Sequence, residues 1–396
     1  MLPGLSLRGL LDSLNWSRPN ATTMVPNGGE NSIEMLAELE QFKQYFIPVL
    51  VVLGLIGNVA STMALLQRNL KKRPSAHFLA AKCISDTVFL LCLLLLWLQT
   101  LGVVLHGSGI WCHFLSMATQ ASNFQSTWFV VGMAVDRYLV ICWPTWTHAH
   151  CCSGNKSVAD LRHQHTTTVT WARIAVLIVS FVALAVYLNL SLTVGVVTIG
   201  GQPTCVPLFH FLKALQVLGY LDMLTNVLLP YTTVIVLISF TTHRVVRFRV
   251  SRKRVISRIA SSKKTRCHYP KTELRQTKTI VIVCCTQLLC IVPTQVLRIY
   301  HTFRNAFGPN IGIQLEQIFL QHVFQLIYFL SFSLNFLLLV ASDKVFRKVL
   351  HLTYVSLSTK MKLLCRRKNE TFPVGAMAFA LEFSATLVRM NESALL

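Results

Sequence analysis

The sequence predicts an all-α membrane protein: a seven-transmembrane helix bundle with a short amphipathic cytoplasmic helix after helix seven. Three observations carry that expectation. Of 396 residues, 53% are hydrophobic and only 13% charged, against about 25% charged in a soluble globular chain. Seven apolar stretches each reach the roughly 20 residues needed to cross a bilayer. The basic residues behind the net charge of +22 gather in connections between those stretches, as the positive-inside rule requires, and no soluble domain remains to present a groove to nucleic acid.

The apolar stretches fall near residues 45–67, 76–102, 111–142, 171–194, 217–242, 277–300 and 317–341. Each must be helical, because the bilayer offers no water to satisfy an open backbone. The expected organisation is an extracellular segment over 1–44, the bundle over 45–342, an amphipathic cytoplasmic helix over 343–352 and a cytoplasmic tail over 353–396.

Charge orients the bundle. Arg68, Lys71, Lys72 and Arg73 fill the first connection, and the fifth, roughly 243–278, holds thirteen Lys or Arg with one acid, Glu273. These loops and the third belong in the cytoplasm. The N-terminal segment has five acids (Asp12, Glu30, Glu34, Glu38, Glu40) against three basic residues, which puts it outside and the C-terminus inside, with the plasma membrane as the expected location. Asn15 and Asn20 then head exterior glycosylation sequons, while the sequons at Asn155, Asn189, Asn369 and Asn391 are discounted by topology. Arg8 and Asp12 interrupt the N-terminal apolar residues, so the first span is expected to act as the signal anchor in place of a cleaved leader. Of twelve cysteines, only Cys112 at the start of span three and Cys205 after span four reach the oxidising face, and a disulfide between them is expected.

Residues 134–144 read AVDRYLVICWP, with Asp136, Arg137 and Tyr138 at the end of the third span. Charge there is costly and needs a function. Around it stand further marks: Gly57-Asn58 in span one, Asp86 in two, Cys112 twenty-five residues before Arg137, Trp171 in four, Pro230 in five, Cys290 and Pro293 in six, and Asn335 in seven followed by Phe346-Arg347. In this order and spacing, roughly residues 45–352 resemble the rhodopsin-like G-protein-coupled receptors, most of all their peptide-activated or orphan members.

The resemblance implies a receptor that binds an extracellular ligand and acts on heterotrimeric G proteins, and possible arrestin binding, without being an enzyme. Arg137 holds five donors in a fixed fork and keeps its proton. Glu273, twenty residues before Pro293, stands where the family places an acid at the foot of helix six, and an Arg137–Glu273 latch is the expected switch. Trp146, two residues after Pro144, is an expected G-protein contact. Asp86, Ser126, Ser331 and Asn335 occupy positions that surround a sodium ion in the family, and such oxygens suit a hard cation; no other cofactor is expected. Lys82, one turn before Asp86, has two readings, a counter-charge for Asp86 or a side chain that snorkels to the inner interface; snorkelling is the expectation.

The sequence also departs from the family. Ile291 stands where a Trp usually precedes the helix-six proline, and Asn335-Phe-Leu-Leu-Leu339 replaces the usual Asn-Pro and Tyr. Without the proline, helix seven is expected to be straighter. Ile238 replaces a second tyrosine in span five, so weak or biased coupling is the alternative expectation. Thr119 stands where amine receptors carry Asp, and Phe329 where opsins carry Lys. The outer lining is instead rich in amides: Gln99, Thr119, Gln120, Asn123, Gln295, Arg298, His322 and Gln325. Such a surface suits a neuropeptide or peptide hormone, with Arg298 as the charged anchor.

Two segments resist the scheme. His148, His150, Cys151, Cys152, His163 and His165 suggest zinc, but their spacing follows no standard ligand pattern, and a cytosolic loop is the expectation. Cys365 beside Arg366-Arg367-Lys368 is a palmitoylation candidate, whereas the apolar run MAFALEFSATLV is too short to span. Against a transporter or channel stand the lack of an internal repeat and of a continuous charged path. Neither an HExxH motif nor a paired intramembrane Asp favours an enzyme.

Overall fold

A computed structural model describes residues 28–68, 70–101, 103, 109–143, 158–199, 202–256, 271–307 and 315–368. Among them run the helices α1 (Gly28–Leu65), α2 (Pro74–Thr100), α3 (Gly109–Cys142) and α4 (Val158–Tyr187). α5 is continuous through Leu212–Asp222, a π-helical turn Met223–Leu228, and Leu229–Ile256. α6 spans Lys271–Phe307, α7 has two segments, Leu315–Ser333 and Asn335–Ser342, and α8 spans Lys344–Lys368.

Five of these helices are long and apolar enough to cross a membrane alone, and a sixth if the two segments of α7 form one span. Of the seven expected spans the remaining one, α3, is long enough at 34 residues but too polar. Its place in the bundle explains this: it packs against α2, α4, α5 and α6, so Ser122, Asn123, Ser126, Thr127 and Arg137 are buried in protein instead of facing lipid. A central helix has no need to be apolar all round.

The core falls into two main parts. At the Arg137 end, Phe78, Phe129, Met133, Ile280, Leu339 and Phe346 interlock five helices, α2, α3, α6, α7 and α8. Nearer the disulfide end, Leu50, Phe89, Leu90, Phe329 and Phe332 join α1, α2 and α7, with Phe89 and Phe332 stacked at 3.9 Å.

α7 overturns the expectation of a straighter helix: its segments meet at 54°. A proline is not the only way to break a helical ladder; an inserted side chain suffices. Here Asn58 Nδ2 donates to the Phe332 carbonyl at 2.8 Å, taking the acceptor that the Phe336 N–H would use in a continuous α-helix. The Ser331 hydroxyl back-bonds to Tyr328 O at 2.7 Å, a contact that also bends helices. Gly57 lets α1 approach this break, since a Cβ there would meet Phe336 Cβ at 2.7 Å.

Boundaries also moved. α1 begins at Gly28, so part of the expected 1–44 segment is helix, with Leu36 buried at 1% exposure. α8 runs to Lys368, past the expected end at 352. Its start is fixed by Asp343 Oδ1, which accepts the Val345 N–H at 2.9 Å, and by Phe346, Val349 and Leu350 buried against the bundle. Between α4 and α5 lies an antiparallel hairpin, β1 (Val194–Ile199) and β2 (Gln202–Pro207), that sets Cys205 opposite Val196. Asn15, Asn20, Trp146, His148, His150, Cys151 and Cys152 lie outside the described residues.

Candidate functional site

The polar side chains inside the bundle fall into three layers. At one end Arg137 is 3% exposed. Its Nε and Nη2 donate to Asp136 Oδ2 at 3.0 and 2.6 Å, and its Nη1 donates to Glu273 Oε2 at 3.1 Å. Asp136 is on the same helix, so this contact only shields the guanidinium. Glu273 opens α6 and is 24% exposed, so the second contact joins two helices. One turn along α6, buried Gln276 donates from Nε2 to Ser75 Oγ on α2, a second cross-helix tie that the sequence did not suggest. Tyr138 turns instead toward α5, its ring edge-on to Phe240 at 6.4 Å, and accepts from Trp143 Nε1 at 3.3 Å.

The middle layer surrounds Asp86, which is fully buried. Ser126 Oγ donates to Oδ1 at 2.6 Å, and Asn335 Nδ2 donates to Oδ2. Lys82 Nζ meets Oδ2 at 2.6 Å, with both side chains at 0% exposure. Lys82 therefore does not snorkel. It lies eight residues beyond Pro74, about 12 Å up the helix at 1.5 Å per residue, out of reach of the interface for a four-carbon stem, whereas Asp86 is one turn away.

Do these residues fit sodium? Around a cation, ligands must point lone pairs inward. Asn335 instead presents its amide nitrogen to Asp86, the Ser331 hydroxyl is spent on Tyr328 O, and an ammonium already sits on the carboxylate. The set as arranged does not fit a metal ion.

At the disulfide end, Cys112 and Cys205 are bonded, with Cα atoms 5.6 Å apart, which ties the hairpin to the start of α3. Beneath it, Arg298 Nη2 donates to Asp222 Oδ2, and the Tyr187 hydroxyl donates to Asp222 Oδ1. Asn226 Nδ2 approaches the Tyr187 hydroxyl at 3.4 Å. Asp222 was missed from sequence, although a signal existed: it is the one acid between Asp160 and Glu273, and it falls inside an apolar span. The π turn that follows it ends at Leu228, two residues before Pro230, where the helix lacks a backbone donor; such turns often mark functional sites.

The other expected lining residues are only partly brought together. Tyr328 on α7 donates to Asn123 Oδ1 on α3 at 2.6 Å. Gln295 is buried one turn below Arg298, with its Oε1 unpartnered among the described residues, as is Asn226 Oδ1 one turn below Asp222. Thr119 turns its hydroxyl back to Leu115 O at 2.7 Å. His322 faces α1, with Nδ1 3.2 Å from Lys43 Nζ. Gln99, Gln120 and Gln325 are half-buried. Among the described residues, no cluster of three His, Cys, Asp or Glu could hold a metal, and Cys365 lies near the end of α8.

Residues 57–337 match the family described as 7 transmembrane receptor (rhodopsin family). No curated protein matches the chain.

Proposed function

The chain belongs to the rhodopsin family of 7 transmembrane receptors, and from that premise we propose that it binds a peptide at the disulfide end and signals to a heterotrimeric G protein at the Arg137 end. It does so in the plasma membrane, with the N-terminus outside and the basic connections in the cytoplasm. The observation that carries the reading is the contact of Arg137 with Glu273 at 3.1 Å. Because the two residues sit on α3 and α6, parting the helices breaks an ion pair. A ligand that favours the parted state shifts the equilibrium by its difference in affinity for the two states, and the opened foot of α6 admits the partner. The protein promotes nucleotide exchange on that partner without itself being an enzyme.

The peptide reading is supported by the outer lining of amide side chains and by Arg298. Asp222 already neutralises that guanidinium, so an incoming carboxylate or amide oxygen competes with an internal acid for the same donors. A second reading, an atypical receptor of weak or biased coupling, is favoured by Ile291 and Leu339, which stand where the family carries a Trp and a Tyr.

The test is nucleotide exchange on a panel of purified G proteins, using membranes that carry the full chain, before and after a pool of synthetic neuropeptides. We expect peptide-dependent exchange that Arg137→Ala abolishes. Ion current or solute uptake with no exchange on any G protein would overturn the reading in favour of a transporter or channel.

A further inference from the structure

The middle layer holds the least expected chemistry in the molecule, a lysine ammonium with no exposure to solvent. We propose that Lys82 is a tethered counter-ion that takes the place of a diffusible cation at Asp86, so that this protein is indifferent to sodium. A buried carboxylate needs a positive partner or a proton. Here the partner is covalently part of α2, one helical turn from its acid, at 2.6 Å.

Three features support the assignment. Both oxygens of Asp86 are engaged by donors, Ser126 on one and Lys82 with Asn335 on the other. The ammonium repels a second cation at that carboxylate about as strongly as it attracts the acid, since the distances are alike and the medium has low polarity. The lysine is also held in place: its stem is fully buried beside a core that includes Phe78, Cys83, Phe129 and Cys284, and a tethered group competes at a high effective concentration against any free ion.

The consequence is a change in what the layer does. An ion that binds from solution couples a conformational equilibrium to its concentration. A tethered ammonium leaves that layer with its charge fixed and removes the coupling. Movement at this level then falls to Asn335, which donates to Asp86 on α2 and stands at the α7 break, 3.4 Å from Asn58 Oδ1 on α1.

The experiment is thermal melting of the purified full chain in lipid nanodiscs, in sodium chloride against choline chloride at equal ionic strength. Wild type, Lys82→Leu, Asp86→Asn and the Lys82→Leu/Asp86→Asn double variant are compared. We expect the wild type to melt at the same temperature in both salts. Lys82→Leu exposes a carboxylate in a polar pocket, and sodium should raise its melting temperature by about 2–4 °C; the double variant should show no such rise. A sodium-dependent rise in the wild type that Asp86→Asn removes would overturn the proposal. So would a folded Lys82→Leu variant that ignores sodium. If Lys82→Leu does not fold, the wild-type and Asp86→Asn titrations still decide. Melting needs neither a peptide nor a G protein, so this inference and the proposed signalling function fail separately.

Discussion

Two of the ion pairs inside this bundle differ in what they can control. Lys82 and Asp86 lie on one helix, both at 0% exposure. Arg137 and Glu273 lie on two helices, the glutamate at 24% exposure. Separating helices leaves the first pair intact and breaks the second. The deep pair is therefore expected to act on the stability of the fold, and the shallow pair, under the proposed function, on which conformation it prefers. Burial makes the first expensive to disturb; partial solvation keeps the second weak enough to open.

Removing one partner of the deep pair should give the largest effect. Asp86→Ala leaves a fully buried ammonium without its carboxylate, at a cost of about 3–5 kcal/mol. The expected outcome is loss of most folded protein at the cell surface and a sharp fall in melting temperature. Near wild-type stability would mean that Lys82 finds another acceptor. Next comes the Cys112–Cys205 bond, which ties β2 to the start of α3. Cys205→Ala should cost about 2–5 kcal/mol, read as reduced surface expression and faster proteolysis of the hairpin. An unchanged digestion pattern would show that the hairpin holds itself.

How much of this contrast the sequence disclosed depends on the scale of the interaction. The spans were legible because a bilayer forces each apolar run into a helix. Arg137 and Glu273 were legible because their spacing follows the family's, and the Cys112–Cys205 bond because topology leaves these two cysteines at the oxidising face. The bend in α7 was not, since it comes from Asn58, 274 residues before the carbonyl it takes. Helical spacing allowed the Lys82–Asp86 pair but could not exclude snorkelling; only the depth of Lys82 along α2 decides. Asp222 was overlooked for a related reason: its partners Arg298 and Tyr187 come from α6 and α4, and no local pattern joins them. The hairpin escaped because its strands occupy only 194–199 and 202–207 and read as loop.

The shallow pair gives smaller effects that act on signalling more than on stability. Glu273→Gln keeps the side chain's shape and removes its charge. For a partly exposed pair worth roughly 0.5–1 kcal/mol, basal nucleotide exchange should rise about two- to fivefold at equal surface expression. Unchanged basal exchange would mean that Asp136 alone holds Arg137 and that the latch carries no energy.

The smallest expected effect sharpens the comparison most. Gln276 donates to Ser75 from the turn of α6 that follows Glu273, so the foot of α6 is tied to α2 as well as to α3. This tie is neutral and buried. Gln276→Ala should therefore raise basal exchange by about twofold, consistent with a net hydrogen bond of about 0.5 kcal/mol, the low end for a neutral contact. Salt distinguishes the two ties: screening weakens the solvated ion pair and leaves the buried amide contact unaffected. Basal exchange in Gln276→Ala membranes should climb further as salt is raised, because only the Arg137–Glu273 tie remains. In the Gln276→Ala/Glu273→Gln double variant it should be high and independent of salt. If the two ties act on one rigid movement of α6, their effects multiply; if the double variant is no more active than Glu273→Gln, Gln276 packs the helix without restraining it.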